Sequence, residues 1–266
     1  MNIAFTKAHG AGNDFLLTWA EQIPVGNDLQ VIARAICDRH TGIGGDGWML
    51  VRDASIWLFN ADGSEAEISG NGTRCAAALL VDAGRASNDI TITTGAGPKH
   101  LRLIERTGRR FLFDMDMGQP VFREDQVRYL LPLQRGAQEV TILDVGNPQC
   151  VVFVDCIPQD WKVLGAEIEA HPHFPKRTNV SFVRAVDAHT IEARFYERGA
   201  GATLSSGTGS TGAAVAAILR KVAASPVRIL TEGEDLQLRW DDSVYLNGPA
   251  EIIGAGEFYL AGTTAP

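Results

Sequence analysis

Cysteine is scarce in this sequence. Four residues in 266, Cys37, Cys75, Cys150 and Cys156, are too few for a disulfide-stapled scaffold, and none forms a C-x-x-C pair of the zinc or redox type. The six histidines include no His-Glu-x-x-His and no paired-histidine metal motif. No apolar run approaches the roughly 18 residues of a membrane-spanning helix. Met1-Asn2-Ile3-Ala4-Phe5 lacks the basic start of a signal peptide. Basic residues are the minority, 24 against 32 acidic for a net charge of −8, which argues against a non-specific nucleic-acid binder or a polybasic membrane binder. A soluble, cytoplasmic protein is expected. Its 45% hydrophobic residues suffice for one large domain or two of about 130 residues.

Glycine is what the sequence has in excess. Its 28 residues exceed the usual share of about 7%, and they cluster. The clusters expose an internal repeat with a shift of 137 residues. The segment Asn60-Ala-Asp-Gly-Ser-Glu-Ala-Glu-Ile-Ser69-Gly-Asn-Gly-Thr-Arg-Cys aligns with Glu197-Arg-Gly-Ala-Gly-Ala-Thr-Leu-Ser-Ser206-Gly-Thr-Gly-Ser-Thr-Gly. In both copies a Ser-Gly-x-Gly turn follows a polar loop and opens an alanine-rich helix. The same shift pairs Thr41 with Thr178 and the run 90–94 with 227–231. Asn13 faces Asn147 at nearly the same shift. Four matches in the same order indicate two related halves.

Periodicity makes each half mostly strand with two helices. The clearest helices are 29–37 behind an Asn27/Asp28 cap, 74–83 ending at Gly84, and 213–224 ending before Pro226. That pattern is α+β rather than alternating βαβ, which disfavours a dinucleotide-binding fold. The stretch Met117-Gly-Gln-Pro120 is the expected linker, giving halves 1–117 and 118–255, with 256–266 packing back on the first. The free amides at a helix start carry partial positive charge and bind anions. Two such starts converging on one cleft would grip a small carboxylate, with Ser69 on one face of its α-carbon and Ser206 on the other. Two acid/base groups flanking one carbon suit a 1,1-proton transfer.

Further motifs carry a family resemblance. They are His9-Gly-Ala-Gly-Asn-Asp-Phe15, Arg39-His-Thr-Gly-Ile-Gly-Gly-Asp-Gly47, Phe59-Asn-Ala-Asp-Gly-Ser-Glu65, Gly70-Asn-Gly-Thr-Arg-Cys75, Gly146-Asn-Pro148, Asn179, Glu197-Arg-Gly-Ala-Gly201 and Gly207-Thr-Gly209. With them the chain resembles the diaminopimelate epimerases, cofactor-independent isomerases of lysine and peptidoglycan synthesis, over nearly its whole length. The resemblance implies two pseudo-symmetric α+β domains, each a mostly antiparallel sheet or barrel around a central helix. It implies an amino-acid substrate, no cofactor and no metal, and homodimers occur in the family. It implies that Asn13, Asn60, Asn147 and Asn179 hydrogen-bond the substrate's two amino-acid ends. Glu197 and Arg198 would hold the distal centre, and the amides of Gly70, Asn71, Gly207 and Thr208 a carboxylate.

The catalytic pair departs from that family. Its two acid/base cysteines are Ser69 and Ser206 here, its histidine after Asn-Pro is Gln149, and the glutamate ending Glu-Arg-Gly-Ala-Gly-Glu is Ala202. A thiol titrates near 8.5 and is readily activated. A serine hydroxyl is a far weaker acid and needs an adjacent base. His9 is the best-placed imidazole by motif, with Glu65, Glu67, Asp14 and Asp46 as carboxylate candidates. Three readings stay open at this level: laboratory substitution, a natural epimerase using serine with a recruited carboxylate, or a diverged member with another isomerisation or binding alone. All four cysteines read as small core residues.

Overall fold

A computed structural model describes residues 2–260; residues 261–266, part of the expected packing-back tail, lie outside the described residues. The chain divides into two compact units. Among the described residues, unit 1 comprises 2–10, 14–112 and 249–260, and unit 2 comprises 11–13 and 113–248. Strands Arg110–Gly118 and Val244–Tyr259 each have residues in both units.

The repeat is visible as a repeat of strand pairings. In unit 1, the strand starting at Asn13 runs parallel to Gly47–Arg52, with Phe15 opposite Gly47. Gly47–Arg52 pairs antiparallel with Ser55–Asn60, which takes Glu65–Ala66 antiparallel and Asp89–Thr94 parallel. Asp89–Thr94 then pairs antiparallel with Gly97–Thr107. Unit 2 runs through the same sequence of senses. Pro148–Phe153 is parallel to Asn179–Asp187, which is antiparallel to Thr190–Glu197. Thr190–Glu197 takes Gly201–Thr203 antiparallel and Val227–Leu230 parallel, and Leu236–Trp240 follows antiparallel.

Each of the four parallel pairings needs a crossover, and each crossover is a helix. These are α1 (Leu29–Cys37), α2 (Gly70–Asp82), α3 (Trp161–Glu169) and α4 (Gly207–Leu219). The α+β pattern read from the sequence holds, with two helix-bridged parallel steps set into an otherwise antiparallel array in each unit.

The helices divide by burial. α1 is amphipathic: Asp28 Oδ1 accepts from the Gln30 and Val31 amides at 3.0 and 3.1 Å, and Ile32, Ala33, Ile36 and Cys37 face a core with Leu16, Trp48 and Phe59. α3 packs Trp161 and Ile168 against Val152, Val180 and Phe182. α2 and α4 are buried all round from their first residue to Leu80 and Ala217. Runs of alanine and glycine keep them thin enough to sit inside the strands, and a helix buried on every side is interior. Both begin earlier than periodicity indicated, because their first turns are glycine-rich and carry little apolar signal. α3 has no local signal: Asp160 makes no capping bond and Gly165, a poor helix former, lies mid-helix.

Candidate functional site

Ser69 and Ser206 are the N-caps of α2 and α4, the two 13-residue interior helices. Their backbones are nearly identical, φ −127° and ψ 123° against φ −138° and ψ 125°. Ser69 Oγ accepts from the Gly72 amide at 3.1 Å, and Ser206 Oγ accepts from the Gly209 amide at 3.0 Å. Each cap satisfies the third amide of its helix and leaves the first two, of Gly70 and Asn71 and of Gly207 and Thr208, without intrahelical acceptors. Glycine stands in third place in both copies, and a side chain there would displace a neighbour. A Cβ there would meet Met49 Cε in unit 1 and Phe195 Cδ1, at 2.7 Å, in unit 2.

The two serines differ in their second partner. Ser206, 1% exposed, donates its hydroxyl to Glu197 Oε2 at 2.7 Å, while Thr203 donates to Glu197 Oε1 at 2.7 Å. Glu197 ends strand Thr190–Glu197, and the short antiparallel return Gly201–Thr203 carries Thr203 back beside it. A carboxylate so placed can take the serine proton as the oxygen accepts another, which is the arrangement a hydroxyl needs to act as a base. Among the described residues Ser69 Oγ bonds to the Gly72 amide and to no carboxylate. The repeat puts Asn60 where Glu197 stands, and Asn60 Nδ2 donates to Ser64 Oγ at 3.0 Å.

Unit 2 gathers most of the remaining positions into one hydrogen-bonded group. Gln149 Nε2 donates to Asn147 Oδ1 at 2.6 Å, and Asn147 Nδ2 donates to Thr208 Oγ1 at 3.2 Å. Asn179 donates to Pro148 O and accepts the Arg198 amide at 3.0 Å. Arg198 also donates to Lys176 O. Gln149 is fully buried, and the space it fills exists because residue 212 is glycine: a Cβ there would lie 2.9 Å from Gln149 Cγ. Asn13 is 5% exposed and follows a turn in which Ala11 and Gly12 take positive φ. That turn lies against Gly233, whose Cβ would collide with Ala11 O.

The carboxylates expected near the serines serve other ends. Asp14 accepts from Arg39 at 2.7 Å and Lys7 at 3.0 Å, and Arg39 also pairs with Asp46 at 2.8 Å. Burial alone would raise Asp14, but Arg39 and Lys7 outweigh it and hold the carboxyl below its ordinary value. This ion-pair cluster anchors the loop 39–47 in unit 1. Glu65 and Glu67 are exposed. Among the cysteines, Cys37, Cys75 and Cys150 are buried and Cys156 is exposed, so the core reading fails for the last. Burial pushes the Cys37 and Cys75 thiols up to about 12, and that of Cys150 higher still.

The signal for the Glu197–Ser206 pair was present in the repeat, which aligns Glu197 with Asn60 nine residues before each serine. Thr203 carried no such signal, because its role depends on a hairpin.

Among the described residues no helix is long and apolar enough to cross a membrane. A family model described as diaminopimelate epimerase matches residues 5–123 and 141–253. A diaminopimelate epimerase from Pelotomaculum thermopropionicum is 39% identical over 96% of this chain and 98% of its own length. Another, from Aromatoleum aromaticum, is 40% identical over 97% of this chain and 99% of its own. The fold is similar to that of a hydroxyproline epimerase from Agrobacterium vitis solved with bound trans-4-hydroxy-L-proline, at a TM-score of 0.75 and 14% identity over 96% of this chain and 92% of that one. The duplicated architecture, the paired helix-capping serines and these matches along nearly the whole sequence lead to one conclusion: the chain belongs to the diaminopimelate epimerase family.

Proposed function

We propose that this chain is an amino-acid isomerase of the diaminopimelate epimerase type, interconverting LL- and meso-2,6-diaminopimelate for lysine and peptidoglycan synthesis. Ser69 and Ser206 take the two acid/base positions, one from each half of the chain, and Glu197 stands behind Ser206. The observation that carries this reading is the 2.7 Å bond from the Ser206 hydroxyl to Glu197. As the α-proton moves to Ser206 Oγ, the hydroxyl's own proton passes to Glu197, so no alkoxide forms on that face. A proton from Ser69 then reaches the opposite face of the carbanion. The negative charge left on Ser69 lies at the positive end of α2 and beside the Gly72 amide, both of which stabilise it. The reverse reaction runs the same transfers backwards.

Binding follows the first-turn amides and the asparagines. The amides of Gly70, Asn71, Gly207 and Thr208 take carboxylate, and Asn13, Asn60, Asn147 and Asn179 hydrogen-bond the amino-acid ends. Arg198 meets the distal carboxylate, and Glu197 serves the reacting centre through Ser206. A cytoplasmic location fits four free cysteines, because thiols persist in a reducing compartment. Self-association as a homodimer completes the reading and is measured by sedimentation.

The experiment is exchange of the α-hydrogen in D₂O with LL- and meso-diaminopimelate. Exchange with inversion is expected, at a rate that the double change Ser69→Cys with Ser206→Cys increases, since a thiol is the stronger acid. Binding of diaminopimelate without exchange overturns the catalytic reading.

A further inference from the structure

Arg74, in the second turn of α2, is a charge with no evident purpose in the fold. It is 0% exposed and among the largest fully buried side chains. Its Nε donates to Pro249 O at 3.2 Å, and one terminal nitrogen donates to Asn71 Oδ1. The other terminal nitrogen, buried as well, has no hydrogen-bond partner. No Asp or Glu among the described residues forms an ion pair with it, in contrast to Arg39, Arg177 and Arg194. Burying an unpaired cation is expensive, and that burial drags the Arg74 pKa down to about 10.

The repeat shows that the helix does not need this charge. Thr211 occupies the corresponding place in α4, is equally buried, and satisfies its hydroxyl by donating to Gly207 O at 2.8 Å. What distinguishes α2 is the partner chosen by the arginine. A helical side chain leans towards the N-terminus, and Arg74 reaches back three residues to Asn71 in the first turn. Asn71 is itself fully buried and pressed against Gly10, where a Cβ would lie 3.1 Å from its Cα and Cβ. The guanidinium is thereby tied through the Asn71 side chain to the first turn of α2, the positive end of that helix.

We propose that Arg74 is a positioning residue for substrate, holding Asn71 and the first turn of α2 in place, and that the counter-charge it lacks is the substrate carboxylate received by that turn. The inference rests on the proposed function for the identity of the substrate, but it concerns binding and not turnover. An arriving carboxylate neutralises a site that the empty protein keeps positive at a cost, so part of that cost is returned as affinity.

The test is calorimetric titration of the full chain with meso-diaminopimelate, comparing the unaltered protein with Arg74→Met and Arg74→Lys. Arg74→Met is expected to weaken binding about tenfold or more, the scale of a lost charge-assisted contact, and Arg74→Lys to restore most of it. A folded Arg74→Met protein binding as tightly as the unaltered one overturns the proposal. Should Arg74→Met fail to fold, the pH dependence of Arg74→Lys decides. A buried lysine loses its charge at lower pH than a buried arginine, so its affinity must fall earlier as pH rises. Titration of the ligand itself is common to both proteins, and coincident pH profiles overturn the proposal. Loss of binding in Arg74→Met with no α-hydrogen exchange in any form leaves the inference standing and removes the catalytic reading. Failure of the unaltered protein to bind diaminopimelate overturns both.

Discussion

Glu197 and Asn60 hold matching places in the two halves, nine residues before Ser206 and Ser69, and one can take a proton while the other cannot. The site is therefore chemically lopsided although its backbone is nearly symmetric. Glu197→Gln keeps the size and a hydrogen-bonding group while removing the base. Exchange of the α-hydrogen is expected to fall by about 10²–10⁴-fold, the usual contribution of a positioned general base. Binding of diaminopimelate should persist, and the two are separated by measuring exchange and calorimetric affinity on one preparation. Unchanged exchange would move the base elsewhere. By motif alone the sequence points to His9, Glu65, Glu67, Asp14 and Asp46 as partners for the serines, and it does not distinguish the two halves. The relevant carboxylate is met through a hairpin that folds Thr203 and Ser206 back onto Glu197; the repeat marks the spacing of Glu197 and Ser206, but the contact itself depends on that fold-back.

At the scale of elements, the repeat extends to the helices that bridge the parallel strands. α1 and α3 are both nine residues long and bridge equivalent parallel strand pairs. Both have an aspartate at the N-cap, but only that of α1, Asp28, makes capping bonds, and only α1 has a clean apolar stripe. α3 forms because its crossover demands a helix and because Gly165 lets it approach Tyr196, whose Cβ would lie 2.8 Å from any added methyl. Tertiary packing, absent from local sequence, outweighs propensity there. The interior helices are more exacting still. In Gly209→Ala the new methyl meets the Phe195 ring at 2.7 Å and Ser206 Oγ at 2.9 Å, so overpacking is expected to cost about 1–3 kcal/mol. In Gly72→Ala the obstacle is the mobile end of Met49, which can swing aside. Thermal denaturation should therefore show the larger fall in Tm for Gly209→Ala, with loss of α-hydrogen exchange. Equal shifts in the two variants would refute this account of the caps.

For the molecule as a whole, duplication was legible in the sequence, and the chain passes between the units at 112/113 and again at 248/249. The expected linker, Met117 to Pro120, begins inside a continuous strand, Arg110–Gly118. Strands that pass from one unit to the other carry no break in hydrophobic pattern, so composition could not mark the change. The thiols provide a way to follow the two units separately. Under native conditions a neutral-pH thiol reagent is expected to modify Cys156 alone, and all four cysteines only after unfolding. Cys37 and Cys75 report on unit 1 and Cys150 on unit 2, so a stepwise release in denaturant would show that the units open independently. More than one fast-reacting thiol in the native protein would contradict the burial. The pairing of the first strand with the last, Asn2 opposite Tyr259 and His9 opposite Glu251, has a consequence in time. A chain emerging from the ribosome at about 5–20 residues per second has nearly all of unit 2 available before the closing strand of unit 1 exists. The half made first must wait for the strand that pairs with Asn2–Gly10 to be made, and the half made second is the one free to fold ahead of it.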